Sequence, residues 1–332
     1  MENIVIVDCI RTGLAKSHRG TFNMTRSDDL VAHCIDALLA RNPQLDPGQV
    51  DDVVLGCGRQ IGEQSGNVAR HAVALSQLPI TVPATTVSRA CSSGLNSIAI
   101  AATQIASGCA EIMLAGGVES ITGLSRGTPG EFAENPRLMS EKPDMYMAMG
   151  NTAEVVARRY QVTREAQDAY ALSSQQRYAA AEAAGYVKDE IAPMTVQWEK
   201  IVDKETKATA TVEGTVDKDE CNRVNTTLEG LTKLSPAFEE GGSVTAGNSS
   251  QLSDGASMVL LMTEKKAIEL GVTPMGYFRG FAVAGCEPDE MGIGPVFAIP
   301  KLLQYKGLSL NDIDLVELNE AFASQCLYSR DR

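Results

Sequence analysis

Short apolar runs of strand length alternate with amphipathic stretches of helix length along most of this chain, and that alternation limits the fold more than any other feature. Residues 4–8, 51–56, 84–88 and 111–116 read as strands, and residues 28–40 and 92–107 as helices. Such an order predicts a mostly parallel sheet covered by helices on both faces. Thr103 to Gly117 carries the end of a helix, a stop at Gly108 and a short strand closing on Gly116-Gly117, as a crossover unit would.

Between about 121 and 250 the character changes. This stretch holds Gly127-Thr128-Pro129-Gly130, a Met-rich patch (Met139, Met145, Met147, Met149) and a polar helical region at 163–184. A charged segment, 199–222, alternates Thr/Val with Lys/Asp/Glu as an exposed hairpin does. An inserted domain explains it better than a loop, since structureless loops beyond roughly 15 residues are uncommon.

After 250 the opening pattern returns. Residues 313–319 echo residues 50–56, each after a helix and a polar turn, and a strand at 277–284 with a helix at 296–305 overlays 4–8 and 28–40. A duplicated half-domain follows, giving a division into 1–120, 121–250 and 251–332. By the same echo, the second-half counterpart of Cys91 falls past Arg332, so the second half is expected to be incomplete.

Composition excludes several classes of function. With 332 residues, 44% of them hydrophobic, the chain supports two or three domains. No apolar run approaches the roughly 20 residues of a membrane helix, and the start Met1-Glu2-Asn3 does not resemble a signal peptide. A net charge of −13 with no basic stripe argues against nucleic acid. Eight cysteines at 9, 34, 57, 91, 109, 221, 286 and 326 form no CxxC pair and fit reduced, buried thiols of a cytoplasmic protein. His18, His33 and His71 offer no metal-ligand spacing, so no metal is expected.

One cysteine stands apart. In the stretch from Val82 to Leu95 a strand runs into a small-residue turn and then a helix, with Cys91 at the junction. The exposed N–H groups and positive dipole end of a helix favour thiolate over thiol. Ser92, Ser93 and Gly94 leave room for a thioester, and the Cys91 N–H is a candidate oxyanion donor. Taken alone, a Cys near a helix start is more often a buried structural residue. The residues by themselves leave both readings open.

The surrounding residues resemble the thiolase family, whose nucleophile lies in Asn-Arg-x-Cys-Ser-Ser-Gly. Here Arg89, Cys91, Ser92, Ser93 and Gly94 match, and Ser88 replaces the Asn. Further segments are similar in family order: Val7 to Thr12, Gly116-Gly117-Val118-Glu119-Ser120, Met149 to Glu154, Lys233 to Phe238, Val244 to Ser250, Met291 to Pro295, and Asn319-Glu320-Ala321-Phe322. The resemblance implies an α/β fold of duplicated βαβαβ halves forming a layered αβαβα core, with an inserted loop domain that binds coenzyme A. It implies transfer of an acyl group between Cys91 and CoA, in thiolysis of a 3-ketoacyl-CoA or condensation of acetyl-CoA, with ping-pong kinetics. No cofactor is implied, CoA and acyl-CoA being substrates. A homodimer or homotetramer is the family's usual assembly.

By the same resemblance Cys91 attacks the 3-keto carbon and Asn319 positions a water that donates to the thioester oxygen. Arg223 and Ser250 contact CoA, while Met149 and Met291 line the acyl and pantetheine chains. Without the motifs, Asn319 reads as a polar cap after a strand at 315–318, Arg223 as a solvated charge, and the two methionines as core gap-fillers. Gly230 stands where some members have a CoA-contacting Ser.

The family site also includes a His in Gly-His-Pro and a Cys in Cys-x-Gly, both after Asn-Glu-Ala-Phe. Neither is matched in these 332 residues, so a truncated second half of poor stability is expected. The competing expectation is a catalytically disabled acyl-CoA-binding protein. Ketoacyl synthases share an active Cys at such a turn, but Asn-Glu-Ala-Phe and Met-Gly-x-Gly-Pro favour thiolase.

Overall fold

The computed structural model describes residues 2–126, 134–203 and 205–332, so Gly127-Thr128-Pro129-Gly130 lie outside the described residues. The chain divides into two compact units. The first comprises Met1–Gly130, Gly185–Cys221 and Leu252–Arg279, and the second Glu131–Ala184, Asn222–Gln251 and Gly280–Arg332. These units cut across the linear division at 120 and 250.

The first unit is built on a seven-stranded sheet. Its strands are β1 (Ile4–Arg11), β2 (Ala15–Lys16), β3 (Asp52–Cys57), β4 (Ala84–Val87), β5 (Ile112–Ser120), β8 (Ser253–Thr263) and β9 (Gly276–Tyr277). The order is β4-β3-β5-β8-β1-β9, with β2 paired to β8. Helices α1 (Ser27–Arg41), α2 (Val68–Leu75), α3 (Ser93–Ala106) and α8 (Glu264–Leu270) belong to the same unit.

Alternate residues of the strands feed two separate cores. Val5, Val7, Val53, Leu55, Leu114, Met258 and Leu260 face one way, into a cluster completed by α1 and α2. Ile4, Val54, Met113, Ala115 and Leu261 face the other way, where α3 supplies Ala101, Ala102 and Ile105. Burial on both faces is why these strands read as continuous apolar runs. On α1 the stripe Leu30, Val31, Cys34, Ile35 and Leu38 recurs at helical spacing and is fully buried. Each such Leu or Ile contributes about 1.5–3 kcal/mol relative to exposure.

The expected mostly parallel sheet is corrected to a mixed one. β3 pairs in parallel with β4 and β5, but β8 lies antiparallel between β5 and β1, and β9 is antiparallel to β1. Apolar patterning reports burial and is silent on strand direction. The expected strand at 277–284 shrinks to two paired residues, because β9 matches only Val5 and Ile6 near the start of β1.

The hairpin expected over 199–222 forms earlier in the chain, between residues 194 and 216, from β6 (Met194–Ile201) and β7 (Thr209–Val216). It is less exposed than expected on one side, since Met194, Val196, Trp198 and Val216 join the core of the first unit. Arg11 anchors the chain on both sides of the hairpin, donating to both oxygens of Asp219 at 2.7 and 2.9 Å and to Glu190 at 2.8 and 3.0 Å.

The second unit is helical, with α4 (Pro136–Glu141), α5 (Met149–Arg159), α6 (Arg164–Ala183), α7 (Leu228–Thr232), α9 (Gly294–Lys306) and α10 (Ala323–Asp331). The echo of the opening survives in part. Pro47–Gln49 and Leu310–Asp312 are both single turns of 3-10 helix, capped by Asp46 and Ser309. The strand that should follow the second turn is absent: among the described residues 313–319 pair with no strand, and Leu315 and Val316 are 85% and 53% exposed. A strand needs a neighbour to satisfy its backbone, and here it has none.

Candidate active site

Cys91 lies in the turn between β4 and α3, two residues before the helix begins. Three backbone features make that turn. Ala90 adopts the left-handed region at φ 46°, a conformation costing roughly 1–2 kcal/mol for a residue with a Cβ. Ser92 and Ser93 donate their N–H groups to the carbonyls of Arg89 and Ala90, at 3.1 Å each. The Ser93 hydroxyl accepts from the Arg89 N–H at 2.8 Å and donates to the Ala90 carbonyl at 2.6 Å. A strained strand-to-helix turn of this kind is one way of exposing a nucleophile at the edge of a sheet.

The helix end is brought down onto the sheet by glycines. Gly56 of β3 and Gly117 of β5 are register partners, and a Cβ on Gly56 would stand 2.2 Å from the carbonyl carbon of Ser93. A Cβ on Gly117 would stand 3.2 Å from the Cα of Gly94. Only bare backbone lets α3 begin this close to the strands. Ser97 Oγ, 2.7 Å from the carbonyl of Gly116, ties the next turn down.

Below the turn, Glu119 accepts from the Gly58 N–H at 2.9 Å and from the buried Gln64 amide at 2.7 Å. Gly58 packs against the Ala90 carbonyl and accepts from the Ser88 hydroxyl at 3.2 Å. Burial raises the Glu119 carboxyl above its ordinary value, opposed by the hydrogen bonds from Gln64 and Gly58. The Ser92 hydroxyl turns back to the Arg89 carbonyl at 2.9 Å, so no side chain caps α3 and its dipole end is left to the Cys91 side.

Cys91 is exposed. The general expectation of buried thiols is thereby corrected: Cys34, Cys57 and Cys326 are buried, Cys9, Cys221 and Cys286 are half-buried, and Cys109 is exposed like Cys91. Burial pushes the Cys34 and Cys57 thiols up to about 12, which makes them inert.

The other candidates, Asn319, Arg223, Ser250, Met149 and Met291, belong to the second unit. Ser250 and the Asn319 segment are brought together there. The Ser250 N–H donates to the Ala321 carbonyl at 2.9 Å, and the Ala323 N–H to the Asn248 carbonyl at 2.9 Å. Asn319 is exposed and follows irregular chain, which corrects its reading as a cap on a strand at 315–318. Its carbonyl accepts from the Gln325 amide at 3.4 Å.

Met149 opens α5 and Met291 lies in the 3-10 segment Pro288–Ile293. At 43% and 37% exposure, neither is a core gap-filler. Gly150, beside Met149, leaves room for the Phe238 ring, which meets Phe322 edge-on at 5.9 Å. Gly292, beside Met291, lies against Gln325.

Helix α6 carries the supports. The buried Asp168, paired with Arg164 at 2.7 Å, accepts from the Asn248 amide at 2.9 Å. The Gln175 side-chain oxygen accepts from the Arg223 N–H at 2.8 Å and from the Asn222 amide at 2.9 Å. Arg223 itself is exposed. The buried Glu154 of α5 takes the Val244 N–H at 2.8 Å and the Ser243 N–H at 2.9 Å, fixing the loop that leads to Ser250.

The family model of the thiolase N-terminal domain matches residues 4–265, and that of the C-terminal domain matches residues 272–332. The chain belongs to the thiolase family. It is 46% identical over 328 residues to a 3-ketoacyl-CoA thiolase of Bacillus subtilis strain 168, covering 98% of this chain and 83% of that protein. It is 45% identical over 327 residues to the peroxisomal 3-ketoacyl-CoA thiolase B of Rattus norvegicus, covering 98% and 75% respectively. The crystal structure of the dimeric peroxisomal thiolase of Saccharomyces cerevisiae superposes with a TM-score of 0.89 at 32% identity, covering 99% of this chain and 82% of that one.

Within this thiolase, the supporting roles of Glu154, Asp168 and Gln175 have no counterpart in the sequence-based expectations. Glu154 ends the Met149–Glu154 motif, and its interior position on an amphipathic helix is the available signal. The α6 residues gave none, because a polar helix reads as solvated until its neighbours are known.

Proposed function

We propose that this thiolase splits 3-ketoacyl-CoA with CoA, or runs the reverse condensation, through an acyl group held on Cys91. The Cys91 sulfur bonds to the 3-keto carbon, the bond between carbons 2 and 3 breaks, and acetyl-CoA leaves as its enolate and takes up a proton. The sulfur of a second CoA then bonds to the acyl carbon, releasing acyl-CoA and returning the thiol. Asn319 positions a water that donates to the thioester oxygen as the enolate forms.

Arg223 and Ser250 contact CoA, and Met149 and Met291 line the acyl and pantetheine chains. The division at 120 and 250 into two thiolase halves and an inserted CoA-binding domain belongs to the same proposal. So do a homodimeric or homotetrameric assembly, independence of a cofactor and a cytoplasmic location. The dimeric yeast neighbour supports the assembly. Among the described residues no helix is long and apolar enough to cross a membrane, and relatives include both a bacterial and a peroxisomal protein.

The observation that carries the proposal is the exposed Cys91 on a strained turn at the uncapped start of α3. Similarity to 3-ketoacyl-CoA thiolases over nearly the whole chain favours turnover over a disabled acyl-CoA-binding role. Incubation with acetoacetyl-CoA followed by mass spectrometry should find an acetyl adduct on Cys91. An adduct that persists in Cys91→Ala would end the assignment. Asn319→Ala should lower kcat on the order of 10²- to 10³-fold, as loss of one oxyanion donor does.

A further inference from the structure

Asn319 begins a segment whose preceding residues, 313–318, have no strand partner among the described residues. The carboxylate of the next residue, Glu320, is gripped by two hydroxyls of α6. Tyr170 donates to one oxygen at hydrogen-bond distance, and Ser174 to the other at 2.5 Å. Four residues apart on a helix, the two hydroxyls stand one above the other on the same face, spaced to span a carboxylate. The Tyr170 hydroxyl also lies 3.1 Å from Cys326 Sγ on α10, the helix that starts after Phe322.

The chemistry of the grip is matched. An ionised carboxylate only accepts, and both partners donate. Burial, with Cys326 and Glu320 beside it, raises the Tyr170 phenol, so it remains a donor across the ordinary pH range. The far side of the segment is pinned by the Ser250 N–H on the Ala321 carbonyl at 2.9 Å.

We infer that Glu320, clamped by Tyr170 and Ser174, is a positioning residue that fixes where the Asn319 side chain stands. This rests on the reading of Asn319 given above. Removing the clamp leaves the CoA contacts in place and loosens the group that acts on the developing charge. Misplacement of an active group by about 1 Å costs on the order of 10²-fold in rate.

The test is a double-mutant cycle in the full chain, with kcat and KM for CoA measured in acetoacetyl-CoA thiolysis. Tyr170→Phe combined with Ser174→Ala should lower kcat by roughly 10- to 100-fold and leave KM for CoA within about twofold. In the Asn319→Ala background the same pair should change kcat by less than about twofold, because residues acting as a unit are non-additive. An equal loss in both backgrounds, or no loss in either, overturns the clamp. Tyr170→Phe alone, with circular dichroism to confirm the fold, gives the same comparison if the pair is unstable. Wild-type kcat in Asn319→Ala, or a wild-type chain without thiolysis, overturns the reading of the site itself and the clamp with it. In either case the failure is visible before the clamp variants are compared.

Discussion

The carbonyl carbon of Ser93 lies 2.2 Å from the point where a Cβ on Gly56 would stand. The turn that carries Cys91 is therefore seated on β3, from which α2 and β4 separate it along the chain. Gly56→Ala forces either β3 or the start of α3 to move, at a cost of typically about 1–3 kcal/mol. The variant should melt at lower temperature and acylate Cys91 more slowly. Unchanged acylation with a normal melting temperature would show that the seat does not matter.

Alkylation should sort the cysteines by exposure. Iodoacetamide at pH 8 should label Cys91 and Cys109 first, whereas Cys34 and Cys57 should react only after denaturation, since the thiolate is the reacting form. Peptide mapping over a time course reads this directly. Protection of Cys91 and not Cys109 by acetoacetyl-CoA would tie the label to the site.

The same two buried thiols set a pH dependence. Their folded pKa of about 12 lies above the ordinary 9.0, so the folded state holds protons that the unfolded chain gives up. Stability is full below pH 9.0 and falls as pH rises toward about 12. Urea melts at pH 8 and pH 10 should show the lower midpoint at pH 10, and the gap should narrow in Cys34→Ala combined with Cys57→Ala.

Glu154 should matter more than its place in a helix suggests. Glu154→Gln loses a charged acceptor for the Ser243 and Val244 N–H groups, and hydrogen bonds to charged groups contribute about 1.5–3 kcal/mol. Amide exchange at residues 243–250 should accelerate and KM for CoA should rise, because Ser250 ends that loop. Unaltered exchange there would remove Glu154 from the account.

How far the sequence reached depends on what kind of fact was asked of it. The runs at 51–56 and 111–116 read as strands, the first a buried one, because a strand covered on both faces is apolar at successive positions, as Val53-Val54-Leu55 and Ile112-Met113-Leu114-Ala115 are. Cys91 stood out because its small-residue turn and following helix are local. The same reasoning failed at 315–318, an apolar run that remains exposed, since no local pattern says whether a neighbouring strand is there to pair with it.

Periodicity, turn chemistry and motif spacing are carried by near neighbours along the chain, so most strand and helix positions, the turn that carries Cys91 and the family resemblance were determined by the sequence itself. The antiparallel insertion of β8, the seating of α3 on Gly56 and Gly117, and the use of α6 to hold Asn248, Arg223 and Glu320 were decided only by tertiary structure. Those relationships join residues tens to hundreds of positions apart. Their energies depend on which surfaces meet in space.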